Sequence, residues 1–163
     1  MQIRYATPDD IAAWRALSAE YDCYVKESVP DLTTWYGGDG HYLAFDAYMR
    51  SKIDAKEATI AVDSTGACLG IVSISKRKNR ITFFGVIHGI DFFAVAEGLF
   101  RHALEQLDCR QDIYINEIIS ASERMLLHKK LYEDFGFVFS HHDTESGVPV
   151  HAFVKSPAVP LER

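Results

Sequence analysis

The segment Ile81-Thr82-Phe83-Phe84-Gly85-Val86-Ile87 decides the fold, together with the helical stripe that follows it through Phe92, Ala96, Leu99, Phe100, Ala103 and Leu107. A strand that is apolar on both faces is covered on both, so this segment belongs in the middle of a sheet. Gly85 inside it marks a bulge or a close backbone approach. The helix predicted over Phe92 to Leu107 separates it from a second buried strand, Ile113 to Ile119. Two strands with a full helix between them are parallel neighbours joined by a right-handed crossover.

Working outward, Ala58 to Val62 and Leu69 to Ser75 precede the central strand, with Ser64-Thr65-Gly66 and Lys78-Asn79 as turns. These three strands form an antiparallel meander. At the front, Ile3 to Ala6 reads as a strand, and Thr7-Pro8-Asp9-Asp10 provides a cap, a first-turn proline and an acidic first turn. A helix follows, with Ile11, Trp14, Leu17 and Tyr21 on one face. From Cys23 to His41 the pattern breaks on Pro30, Gly37, Gly38 and Gly40, predicting a long loop. A helix over Tyr42 to Lys56 carries Phe45, Tyr48, Met49 and Ile53. Towards the end, Ser120 and Glu123 have capping-box spacing and open a helix that stops at Gly136. Phe137 to His142 and Pro149 to Lys155 close the chain as strands around Gly147. The order β-α-α-β-β-β-α-β-α-β-β is that of an α/β protein of the α+β, mixed-sheet kind. It is expected to form a single domain over 1–155, with a tail over 156–163.

Composition excludes several functions. At 163 residues, with 48% apolar and 25% charged residues, the chain suits one domain. It has no apolar run of the roughly 18 to 20 residues a spanning helix requires, and its start lacks the apolar stretch of a secretory signal. Cys23, Cys68 and Cys109 form no CxxC pair and fit three reduced thiols in a cytoplasmic protein. A net charge of -6 repels nucleic-acid phosphates, and the basic run Lys76 to Arg80 reads as a solvated turn. His141 and His142 point to opposite faces of their strand and, with His151, make no metal motif.

The front segment Ile3-Arg4-Tyr5-Ala6-Thr7-Pro8-Asp9-Asp10 and the helix end Leu131-Tyr132-Glu133-Asp134-Phe135-Gly136-Phe137 resemble the GNAT superfamily of acyl-CoA-dependent N-acetyltransferases. The second segment is similar to that family's YEKxGF signature, and the resemblance covers nearly the whole chain. It implies a GNAT-like acyl-CoA N-acyltransferase fold whose central parallel strands splay apart. Acetyl-CoA is the implied co-substrate, its pantetheine arm lying along the backbone of Gly85, Val86 and Ile87. The implied partner is a small-molecule or peptide amine, without nucleic acid or membrane; a homodimer is left open. The family's pyrophosphate loop, Q/R-x-x-G-x-G/A, falls on Asp91-Phe92-Phe93-Ala94-Val95-Ala96, where only Ala96 fits the pattern. Asp91 is a natural helix cap, and its carboxylate competes with phosphate for the amides of the first turn. Met125 stands where the family often carries an asparagine, leaving Asn116, Ser120 or Ser122 for that polar contact.

Within this resemblance Tyr132 is matched to the departing thiolate, as hydrogen-bond donor or acid. Glu117 is the leading candidate base on its own evidence of placement, because a carboxylate in an otherwise apolar strand faces a cavity, a partner or solvent. His88, just after the central strand, is an alternative proton relay. Trp35, Tyr36 and Tyr42, beside Asp31 and Asp39, either form a lid suited to a cationic amine or pack the loop onto the sheet. The alternative function is a catalytically silent domain of the same fold that binds a small ligand or a protein.

Overall fold

The computed structural model describes residues 1–28, 39–145 and 147–158, with side chains at 28 and 39–44 outside that description. Seven strands form one sheet in the order β1-β2-β3-β4-β5-β7-β6. They are β1 (Gln2–Tyr5), β2 (Ala58–Val62), β3 (Cys68–Ser75), β4 (Arg80–Val86), β5 (Ile113–Ile118), β6 (Val138–Glu145) and β7 (Val148–Lys155). All neighbours are antiparallel except β4 and β5, which are parallel, as the crossover helix requires. The helices are α1 (Ile11–Ser28), α2 (Asp39–Asp54), α3 (Phe92–Glu105) and α4 (Glu123–Asp134).

The sheet separates two apolar clusters. On one face Trp14, Leu17 and Tyr21 of α1 pack with Met49 and Ile53 of α2 against Ile60, Ile71 and Phe83. On the other, Phe92, Val95, Ala96, Leu99, Phe100 and Ala103 of α3 pack with Leu131 and Tyr132 of α4 against Val72, Ile81 and Phe84. The α3 stripe is the one its period predicts, and it buries rings that stack closely, such as Phe100 on Tyr132 at 5.5 Å.

Two sequence expectations need correction. The loop placed over Cys23 to His41 is largely helix at its ends, since α1 runs to Ser28 and α2 starts at Asp39. Tyr24 and Val25 are buried and extend the Leu17-Tyr21 stripe by one more turn, so packing carries the helix past the break. Asp31, Trp35 and Tyr36 of the expected lid lie outside the described residues, while Asp39 and Tyr42 fall on α2. The cap of α4 is Ser122, whose Oγ accepts from Met125 N at 3.3 Å. Ser120 instead takes the amide of Ser122 at 3.1 Å, two residues too early to cap the helix. The other end matches its reading: Gly136, at φ +89, follows Phe135 as the left-handed residue that stops α4.

The parallel pair is joined only at its base. Arg80 pairs with Tyr114 and Ile81 with Ile115; beyond these β4 and β5 part. The cause lies in β4, where Ser73 pairs with Phe83 but Ile74 pairs with Ile81, so Thr82 is an extra residue in the ladder. The bulge reverses the alternation. Ile81 faces α3, whereas Phe83, two residues on, faces α1. Below the bulge Asn79 clamps the strands: its Nδ2 donates to the carbonyls of Asp108 and Asp112, both at 3.0 Å, and its Oδ1 accepts from Asp108 N at 2.8 Å.

Asn79→Ala strips these bonds from a buried site, and the expected loss of stability is about 1 to 3 kcal/mol. Urea unfolding monitored by circular dichroism checks this; an unchanged midpoint would show that the clamp is dispensable.

Candidate active site

Where β4 and β5 part, a cleft open to solvent is lined by Thr82, Phe83 and Phe84 on one side and Asn116, Glu117 and Ile118 on the other. Tyr21, Tyr132, Glu145 and Val150 complete its walls. Alternation along β5 turns Glu117 towards α4 and Asn116 the other way. Tyr132, 1% exposed, donates its hydroxyl proton to Glu117 Oε2. His128, one helical turn before Tyr132 and equally buried, places Nδ1 3.0 Å from the same carboxylate oxygen. Its Nε2 lies 2.9 Å from the hydroxyl of Tyr21, which crosses from α1. Tyr132, Glu117, His128 and Tyr21 thus form one continuous hydrogen-bonded chain through the interior.

That chain ends on the backbone of β4. Ile87 N bonds Leu69 O at 3.0 Å, so by alternation Gly85 and Ile87 turn their peptide groups towards β3, and Val86 turns its own into the gap. Val86 N donates to the Tyr21 hydroxyl at 3.1 Å, and that hydroxyl lies 3.2 Å from Val86 O. Gly85 makes this possible. A Cβ there would stand 3.0 Å from the Tyr21 ring, so the glycine is the close approach its position signals. With His128 Nδ1–H donating to Glu117, the single proton of Tyr21 is contested by Val86 O and His128 Nε2.

The remaining sequence candidates are distributed around this centre. Asp91 caps α3, its Oδ1 accepting from Ala94 N at 3.4 Å. Phe92, Val95 and Ala96 are buried in the α3 cluster, Phe93 packs at its edge, and Ala94 is exposed. Asn116 donates to Glu145 Oε2 at 3.3 Å. His88 lies two residues beyond the end of β4, its Nε2 3.2 Å from Tyr24 Oη. The three cysteines are free, and burial pushes the Cys68 thiol up to about 11, which leaves it a poor nucleophile at neutral pH. Sequence reasoning missed His128 and the polar role of Tyr21. The spacing of His128 from Tyr132 was the available signal for the first; Tyr21 reads only as one more ring in an apolar stripe.

This architecture recurs in solved acetyltransferases. A GNAT-family acetyltransferase from Streptococcus agalactiae is similar over 97% of this chain and 96% of its own, with a TM-score of 0.67 and 12% identity. An N-acetyltransferase from Staphylococcus aureus gives 0.66 at 14% identity over 94% of this chain and 100% of its own. A chain of the NatC complex bound to Gag peptide and CoA gives 0.63 at 15% identity, covering 97% of this chain and 100% of that one. The chain has the GNAT fold. No protein-family model matches the sequence, and no curated protein matches it. Within the GNAT fold, the opened parallel pair and the Glu117-Tyr132 contact occupy the centre of the sheet, and no described helix is long and apolar enough to cross a membrane.

Burial holds the Tyr132 phenol well above the ordinary tyrosine range, reinforced by the charge of Glu117, and burial does the same to Tyr21. Both keep their protons in the folded chain above the pH, about 10, at which an unfolded tyrosine ionises. Above that pH the unfolded chain binds fewer protons, so stability falls as pH rises. Urea midpoints measured from about pH 9 to about pH 11.5 should fall steeply in the wild type and less in Tyr132→Phe. Parallel curves would show that Tyr132 does not resist ionisation.

Proposed function

We propose that the chain is an N-acetyltransferase that moves the acetyl group of acetyl-CoA to an amine of a small molecule or peptide by direct attack. The observation that carries the reading is the opening of β4 from β5 beyond Ile81 and Ile115, with Glu117 and Tyr132 hydrogen-bonded in the gap. The GNAT fold of the solved neighbours, one of them bound to CoA, supports it.

The chemistry sets two demands. A primary amine of pKa about 10.4 is only about 0.1% neutral at pH 7, a handicap of roughly 4 to 5 kcal/mol, and the thiolate leaving group needs a proton. Glu117 is suited to take the proton released as the amine nitrogen bonds to the thioester carbon. Tyr132, whose hydroxyl is the proton donor in its bond to Glu117, is suited to protonate the sulfur as the carbon–sulfur bond breaks. The direct Tyr132–Glu117 hydrogen bond then lets the proton on Glu117 return to the phenolate, restoring both groups. The sum is an amide and a free thiol. His128 orients Glu117 through Nδ1. Val86 N–H faces the gap and is suited to the thioester carbonyl oxygen once the Tyr21 hydroxyl releases it.

That last contact also favours a second reading, a catalytically silent domain that binds a ligand or a protein. In it Tyr21 permanently fills the gap-facing peptide of β4, and Asp91 fills the start of α3.

In a thiol-release assay with acetyl-CoA and a panel of primary amines, Tyr132→Phe should lower kcat at least about 10-fold. Glu117→Gln should lose the rate by a similar factor, most strongly near neutral pH. Equal rates in Tyr132→Phe and the wild type would remove the phenol from the mechanism, and a wild type without turnover on any amine would favour the silent domain.

A further inference from the structure

We infer that Arg124 is an anion-binding residue that holds a phosphoryl group, the pyrophosphate of the acyl-CoA, at the mouth of the cleft. This rests on the acetyltransferase reading for the identity of the ligand but not for the existence of the anion site. Arg124 is the second residue of α4 and only 9% exposed. A cation is out of place there, since the first turn of a helix carries the positive end of the dipole. Its guanidinium also lies 5.3 Å from the ring of Phe92, the first residue of α3, so two helix N-termini and a buried guanidinium converge.

Among the described residues no carboxylate pairs with this charge. Nη2 is shared between two long contacts, Ile87 O at 3.4 Å and His88 Nδ1 at 3.3 Å, and Nη1 is buried without a hydrogen-bond partner among the described residues. A guanidinium has only donors to offer, so His88 Nδ1 accepts, and Arg124 is the cation of this corner. A buried charge without a partner is retained at a cost, and the planar fork of arginine is suited to phosphate oxygens. The neighbouring α3 terminus explains why the charge comes from α4. Asp91 stands at that terminus and takes the Ala94 amide at 3.4 Å, close to the limit of a hydrogen bond. A phosphate there meets a carboxylate on its own helix, and Arg124 offsets it from across the mouth.

The experiment is isothermal titration of the full chain with three probes, CoA, S-acetylpantetheine, which lacks phosphate, and inorganic pyrophosphate, in wild type, Arg124→Gln and Arg124→Lys. Arg124→Gln should weaken CoA at least about 10-fold and abolish pyrophosphate binding, while S-acetylpantetheine affinity stays within about 2-fold. Arg124→Lys, which keeps the charge, should fall between, and raising salt should weaken CoA in the wild type more than in Arg124→Gln. CoA bound equally by wild type and Arg124→Gln overturns the inference, as does a wild type that binds neither CoA nor pyrophosphate. Should Arg124→Gln fail to fold, Arg124→Lys with undiminished salt-independent CoA affinity overturns it equally. Pyrophosphate bound through Arg124 by a chain that does not bind CoA upholds the anion site and refutes the acetyltransferase reading.

Discussion

A single surplus residue in β4 organises the molecule. Thr82 has no partner of its own in the ladder with β3, and the ladder with β5 ends at the adjacent Ile81. Its hydroxyl is held by Tyr48 Oη at 2.7 Å and Ser73 Oγ at 2.9 Å, which ties the bulge to α2 and β3. With Asn79 fastening the strands below and Thr82 turning β4 above, the sheet is closed at one end and open at the other. Sheets that bulge beside a site re-aim side chains and backbone groups, and here the re-aimed groups are Phe83 and the peptide of Val86.

The opening exposes polar backbone in the centre of an apolar molecule, and such groups must be satisfied. Tyr21 satisfies Val86, His128 satisfies Tyr21, and Glu117 with Tyr132 closes the chain. The same network that lines the gap is therefore composed of groups able to accept and return a proton. Phe84 and Phe92 pack on His128 at 4.9 and 5.3 Å and keep bulk water from that ring. A chain of this kind is stable only when every member is bonded, which couples the occupancy of the gap to the state of the relay.

Much of this was legible in residues that act locally. The α3 stripe, the cap at Asp91, the stop at Gly136 and the parallel relation of β4 and β5 each follow from periodicity or from one residue's backbone preference. Gly85 signalled close approach, though not of which side chain. Glu117 stood out because a carboxylate interrupts an apolar strand. What escaped the sequence was set by tertiary placement. Thr82 is an unremarkable strand residue until its partners on β3 are counted. Tyr21 fits an apolar stripe by spacing, and only the sheet beneath it reveals its hydroxyl as a backbone partner. His128 and Arg124 sit on a helix rich in charge, where solvent exposure is the ordinary expectation; burial makes both informative. Ser120 and Ser122 both have the chemistry of a cap, and two residues of loop geometry chose between them.

The peptide of Val86, turned into the gap by the bulge, is the group proposed to receive the acyl donor. Titration of 15N-labelled protein with acetyl-CoA, followed through the Val86 amide resonance, tests this role most directly. This resonance should move and saturate with the bound fraction as the Tyr21 hydroxyl gives way. A Val86 amide that stays fixed while the protein binds acetyl-CoA would contradict the proposal.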